Sequence, residues 1–199
     1  MKNIFASVII AVGIFAPSIF GSESIGVKGV QDMQILAPGV EAPLFSLPQV
    51  IKGETSRDYI SLRAWCGKEL SRPRQNPIRH TIILSFWATY CVPCKKEMPE
   101  LMRFAQKHTT DSIKVFCVSI DKEGVDIVDP YVKEHKMTVP VLIDQYSKTA
   151  QRYGVNRLPA LVVIDPMGII RYSSIGYDST TTVDAVLESV IAKIKAKRN

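Results

Sequence analysis

Two cysteines three positions apart, Cys91 and Cys94, lie in the stretch Ser85-Phe-Trp-Ala-Thr-Tyr-Cys-Val-Pro-Cys-Lys-Lys-Glu-Met-Pro-Glu-Leu101, where an apolar run meets a helical pattern. A thiol at the first turn of a helix meets unpaired backbone N–H groups and the positive end of the helix dipole. Its thiolate is stabilised there, and it becomes the better nucleophile near neutral pH. A second thiol one turn in can close a disulfide with it. The pair therefore reads as a thiol-disulfide exchange site in which Cys91 attacks and Cys94 resolves. Two other readings stand beside this one. Half of a zinc site would need about four ligands, and Cys66 and Cys117 are distant and form no second close pair. A structural disulfide more often joins distant elements, and it gives Pro93 between the cysteines no reason. His80, His108 and His135 fall in no metal-ligand spacing, so no metal is expected, and each reads as a surface or helix-end residue.

The elements that must hold this pair flank it. Ile82, Ile83, Leu84, Phe86 and Trp87 form a β-branched and aromatic run that predicts a buried central strand, and Lys95 onward predicts a helix. Glu97 falls one turn beyond Cys94 on the same helical face, beside Met98 and Leu101, with Pro99 removing a backbone donor. A carboxylate in partly apolar surroundings is disfavoured in its charged form, so Glu97 is placed to accept or return a proton as Cys94 cycles. On these residues alone an ordinary helix glutamate facing solvent is an equal reading.

The pattern Cys-x-Pro-Cys-x-x-Glu-x-Pro, matched by Cys91, Pro93, Cys94, Glu97 and Pro99, resembles the TlpA/ResA/CcmG (DsbE)-like branch of the thioredoxin superfamily. The resemblance covers about residues 38 to 195. It implies an extracytoplasmic thiol-disulfide oxidoreductase, in many members a reductant in cytochrome maturation, that acts on disulfide-containing protein clients without a cofactor. Electrons would come from a membrane electron donor of the DsbD or CcdA kind. It also implies an α/β thioredoxin-like sandwich, with a mixed central sheet flanked by helices and an added N-terminal β-hairpin. Pro159, after Leu158, falls where the superfamily has a cis proline facing the disulfide, and Trp87, Tyr90, Pro93 and Leu158 fall at supporting positions. Two departures stand out. Tyr90 replaces the usual Trp, and Ser85 stands where thioredoxin carries an acid, so proton handling would fall to Glu97.

The 199 residues are 46% hydrophobic, which fits a leader plus one domain. Residues 1–24 carry an early lysine and an apolar run from Ile4 to Phe20, a secretory pattern that predicts export to a periplasmic or extracytoplasmic location. Two outcomes are open for this leader: cleavage at Ser22-x-Ser24 or Ala16-x-Ser18, or retention as a membrane tether. No cysteine near its end supports a lipid anchor. The net charge is +6, concentrated in Arg63 to Arg79 and in Lys193, Lys195, Lys197 and Arg198. Without aromatic interleaving or a nucleic-acid motif it reads as solvated surface, with anionic lipid as the second reading and no nucleic-acid partner.

Residues 25–40 read as a linker and residues 41–199 as the domain. Ala42 to Leu47 and Tyr59 to Leu62 predict the hairpin strands around Gly53. Residues 65–80 read as a basic, proline-broken insertion on the surface, as a loop or short helix. Ile113 to Asp121 predicts an interior strand with Cys117 in the core. Asp129-Pro130 predicts the start of a helix running through His135. Val139 to Asp144 predicts a strand, Lys148 to Tyr153 a short helix stopped at Gly154, Leu161 to Asp165 and Ile169 to Ile175 two strands, and Thr181 to Lys197 a closing helix.

Two rivals share this scaffold. A thiol peroxidase needs Pro-x-x-x-Thr-x-x-Cys, whereas Thr89 is only two residues before Cys91. A copper-binding chaperone needs Cys-x-x-x-Cys and a histidine, and the spacing here is one residue short. Residue types leave the direction of exchange open, because reductants and oxidants share the motif and differ in potential.

Overall fold

The computed structural model describes residues 34–51, 54–70, 78–109 and 112–197. The expected leader, most of the expected linker and the middle of the expected insertion, residues 71–77, lie outside the described residues.

The described residues form seven strands and four α-helices. They are β1 (Ser46–Ile51), β2 (Glu54–Ser61), β3 (Thr81–Trp87), α1 (Val92–Lys107), β4 (Ile113–Ser119), α2 (Val125–Glu134), β5 (Val141–Ile143), α3 (Lys148–Arg152), β6 (Ala160–Ile164), β7 (Ile170–Ile175) and α4 (Val183–Ala196). The strands form one mixed sheet in the order β2-β1-β5-β4-β3-β6-β7. β3 runs parallel to β4, and β4 to β5, while β6 returns antiparallel beside β3. This is the expected α/β architecture, and β1 with β2 is the expected added hairpin.

β3 is buried along its whole length, and its alternating side chains serve two cores. Ile83 and Trp87 face α1, α2 and α4, where Leu101, Phe104, Val128, Leu187 and Ile191 pack. Ile82, Leu84 and Phe86 face the other side with Phe45, Leu62, Cys66, Ala150 and Tyr153. Because both faces are covered, the strand has no solvent side, which is why its sequence is a near-continuous apolar run. Gly154 ends α3 as expected, at φ 71°. A Cβ there would sit 2.1 Å from the Gln34 carbonyl oxygen, so the site excludes any side chain.

Three expectations are corrected. The first strand begins at Ser46 rather than Ala42, because residues 39–42 bond instead to the turn between β6 and β7, with Gly39 N–H donating to Ile170 O and Ala42 N–H to Gly168 O, both at 2.8 Å. α2 begins at Val125 behind Gly124, so Asp129 and Pro130 lie inside it. Pro130 removes one hydrogen bond, to the Asp126 carbonyl, and Asp129 pairs with Lys133 at 2.7 Å instead of capping. The segment after Leu62 is a single 3-10 turn, Leu62–Ala64, and its continuation is not all surface. Cys66 is buried, and Arg79 closes the described ends of the insertion by donating to the carbonyls of Gly67 and Lys68, both at 2.9 Å.

α4 buries Val183, Leu187, Val190, Ile191 and Ile194 and leaves its lysines exposed. Removing buried methyl groups costs transfer free energy plus a cavity. Leu187→Ala is therefore expected to destabilise the fold by about 2–5 kcal/mol, and truncation of the half-buried Val186 by clearly less, as read from denaturant midpoints at constant m.

Candidate active site

Cys91 and Cys94 are joined as a disulfide with Cα atoms 5.3 Å apart. Cys91 is the N-cap of α1, with extended backbone, and its sulfur accepts the Cys94 N–H at 3.3 Å. Pro93 occupies the first turn, where its missing N–H costs no helical bond. The two sulfurs are unequal: Cys91 is 7% exposed and Cys94 1%. Tyr90 and Val92 on either side of Cys91 are 70% and 64% exposed, so the outer sulfur sits within an apolar rim.

Behind the pair the helix carries Glu97, 3% exposed and without a cationic partner among the described residues. Its Oε1 accepts the Ser85 hydroxyl at 3.1 Å. Ser85 comes from β3, on the face that looks toward α1. Burial raises the Glu97 carboxyl to about 7; the Ser85 hydrogen bond pulls it down and the nearby Glu100 charge pushes it up. Cys117 lies directly across from Ser85 on β4, with its thiol 3.5 Å from the Met98 sulfur. Burial first, and the Glu97 charge second, push that thiol well above the ordinary range, so it is chemically silent at neutral pH.

The loop between β3 and α1 is fixed by Asp121, fully buried just beyond β4. Both of its carboxylate oxygens accept the Thr89 N–H, at 3.1 and 3.0 Å. Its Oδ1 also accepts the Thr89 hydroxyl at 2.7 Å, and its Oδ2 the Ser119 hydroxyl at 2.7 Å. Trp87 is buried beneath this loop, its ring 5.1 Å from that of Tyr131. The Leu158-Pro159 peptide is cis. Ala160 pairs with Phe86, which brings the buried Pro159 to the end of the sheet from which residues 88–91 depart, and its carbonyl accepts the Gly176 N–H at 2.7 Å. Leu158, half-buried, packs against both cores.

Cys91, Cys94, Glu97, Pro159 and their expected supports Trp87, Tyr90, Pro93 and Leu158 thus all gather at one end of the sheet. Sequence reasoning missed Asp121, which it took only as the end of a strand, and Glu100, an unremarked neighbour of Pro99. An acid at the end of an interior strand was a usable signal for the first. For the second there was none, because its partners Tyr177 and Val183 are about 80 residues away. His108 ends α1 as expected but is nearly buried, with Nε2 3.0 Å from the Glu188 carboxylate of α4.

Comparison with known proteins follows the same lines. The model of the AhpC/TSA family matches residues 38–173. Sporulation thiol-disulfide oxidoreductase A of Bacillus subtilis (strain 168) is 29% identical over 112 residues, which are 55% of this chain and 66% of the relative. Thiol-disulfide oxidoreductase ResA of Bacillus thuringiensis (strain Al Hakam) is 30% identical over 110 residues, 55% of this chain and 62% of the relative. The matched stretch thus spans less than two thirds of these relatives' own length. Among solved structures, StoA from Bacillus subtilis superposes with a TM-score of 0.57 at 24% identity, over 77% of this chain and 99% of that one. A thiol-disulfide oxidoreductase from Bacteroides fragilis NCTC 9343 gives 0.58 at 21%, over 76% and 99%. These likenesses agree with the thioredoxin-like sandwich, and the family match extends over more than half of the sequence: the chain belongs to the AhpC/TSA family.

Proposed function

We propose that this chain is an exported thiol-disulfide oxidoreductase that reduces disulfides in protein clients. The observation that carries this reading is the Cys91–Cys94 disulfide at the N-terminus of α1 with a carboxyl group, Glu97, buried one turn behind it and without a cationic partner among the described residues. In the reduced protein the Cys91 thiolate attacks one sulfur of the client disulfide. The client S–S bond breaks, one client sulfur leaves as a thiolate that takes up a proton, and a mixed disulfide forms. The Cys94 thiolate then attacks Cys91, the mixed disulfide breaks, and the second client sulfur departs. Two electrons have passed to the client, and the chain is left as the disulfide. The N–H of Cys94, aimed at the Cys91 sulfur, stabilises charge on the attacking atom. Glu97 takes the proton of Cys94 as that thiol becomes a nucleophile, which suits a carboxyl lifted to about 7.

The same carboxylate favours the reducing direction. A negative charge beside the pair disfavours thiolate, and a reduced form without a stabilised thiolate is the stronger electron donor. Pro159 and Leu158 form the wall against which an extended client segment lies, with Tyr90 beside it. Regeneration needs an outside dithiol, which we assign to a membrane donor of the DsbD or CcdA kind. Residues 1–24 direct export and supply a tether if retained; among the described residues no helix is long and apolar enough to cross a membrane. Apocytochromes, whose cysteines must be reduced before haem attachment, are the client class we favour. The names of the two curated relatives support the oxidoreductase reading. The peroxidase alternative is weakened by Thr89, whose hydroxyl is spent on Asp121.

Cys94→Ala should accumulate mixed disulfides with clients in cells and Cys91→Ala none; equal capture by both would overturn the division of roles. Equilibration with glutathione or dithiothreitol should place the pair nearer the about −270 mV of thioredoxin than the about −120 mV of DsbA. For Glu97→Gln the sign follows from the raised carboxyl. The folded chain holds a proton that the unfolded chain releases between pH 4.5 and about 7, so wild-type stability falls as pH rises through that window. The oxidised variant should therefore exceed wild type by about 3 kcal/mol above pH 7, and the gain should vanish toward pH 4.5. Urea melts across pH measure this. Its thiol-alkylation and disulfide-reduction profiles should also depart from wild type, and superimposable profiles would remove Glu97 from the mechanism.

A further inference from the structure

Glu97 lines a cavity of about 430 Å³ whose other walls include Leu161, Tyr172, Ser174, Tyr177 and Asp178. The segment from Tyr177 to Thr182, which joins β7 to α4, has no strand or helix of its own to hold it there. It is held by a side chain of α1. Glu100 lies one turn beyond Glu97, and each of its carboxylate oxygens has a separate partner. Oε1 accepts the Tyr177 hydroxyl at 2.8 Å, and Oε2 accepts the Val183 N–H at 2.7 Å. Val183 is the first residue of α4, so that N–H has no partner within the helix, and a carboxylate is the favoured group at such an end. Thr182 caps the same end by accepting the Ala185 N–H.

We propose that Glu100 is a positioning residue for Glu97: by gripping Tyr177 and the first N–H of α4 it holds the 177–182 segment as the wall of the Glu97 cavity, and it keeps a second carboxylate one turn from the first. This rests on the reading of Glu97 as the proton acceptor of Cys94. The groups facing Glu97 are Glu100 on α1, Ser85 on β3, Cys117 on β4, Tyr172 on β7, and Tyr177 and Asp178 on the connecting segment, and Cys94 lies one turn before it on α1. Arg103, further along α1, acts on Tyr177. Burial of Glu97 favours its protonated form, the Ser85 hydroxyl favours the ionised form, and the Glu100 charge adds like-charge repulsion that again favours the protonated form. Glu100 thus adjusts the pH at which Glu97 changes state, on top of the larger effect of burial, without touching either sulfur.

Two variants separate the charge from the grip. In Glu100→Gln the amide oxygen still takes the Val183 N–H and the amide nitrogen can donate to the Tyr177 oxygen, so the wall stands and the charge is gone. Tyr177→Phe keeps the charge and the Val183 contact and loosens the wall at its Tyr177 end. The readout is the side-chain carboxyl resonance of Glu97 in oxidised, ¹³C-glutamate-labelled protein, assigned by its loss in Glu97→Gln and followed against pH. Glu100→Gln should move the midpoint toward acid by about half a pH unit, the size expected of one solvent-screened like charge a few ångström away. Tyr177→Phe should move it the same way as water enters. The alkylation profile of the reduced protein should shift in parallel, and adding Glu100→Gln to Glu97→Gln should shift it no further. An unmoved Glu97 midpoint in both variants, each shown folded by its melt, overturns the proposal. A moved midpoint with an unmoved alkylation profile leaves the positioning role standing and removes Glu97 from the exchange chemistry.

Discussion

The burial of β3 on both faces and both edges is the constraint on which the rest depends. Its backbone is bonded to β4 on one side and β6 on the other, and its side chains fill two cores at once. Nothing at its carboxyl end can shift without disturbing both. That rigidity is what a dithiol site needs, because the two sulfurs must remain within bonding reach whether or not they are bonded. The active loop is short, and Asp121 ties its middle to the neighbouring strand, so Cys91 is presented from a fixed frame.

On this frame a conflict is built in. The helix terminus favours the thiolate of Cys91, while the Glu97 carboxylate buried a turn away opposes negative charge near Cys94. In the exchange we propose, this makes the outer sulfur the reactive one and the inner one reluctant, and so orders the two steps. Ser85 is essential to the balance: its hydroxyl satisfies Glu97 in either protonation state, donating to the carboxylate or accepting from the acid.

The fold was legible in the sequence wherever hydrophobic period alone decided it, as at β3, β4 and α4, whose buried faces match the apolar spacing. It was misread at α2, where Asp129-Pro130 carries a strong start signal that tertiary packing of Val128 overrode. It was misread again at Ala42, whose partner is a turn 126 residues later and not the neighbouring strand. The site divides in the same way. Cys91, Cys94 and Glu97 lie within seven residues of one helix start, so spacing exposes them. Asp121 and Glu100 act through residues distant in the chain, and such links exist only once the sheet has formed.

Four cysteines permit three complete pairings. Once the chain has folded, only one bond remains open to it. Cys66 and Cys117 lie on opposite faces of the sheet, in separate cores, and both thiols are held far above the ordinary range by burial. The fold thus acts as a protecting group for half of its own thiols, and it does so only after it has formed. An oxidant that meets the chain before folding sees four equivalent sulfurs, whereas one that meets it afterwards sees a single pair. The order of folding and oxidation therefore bears on which of the four sulfurs are open to pairing.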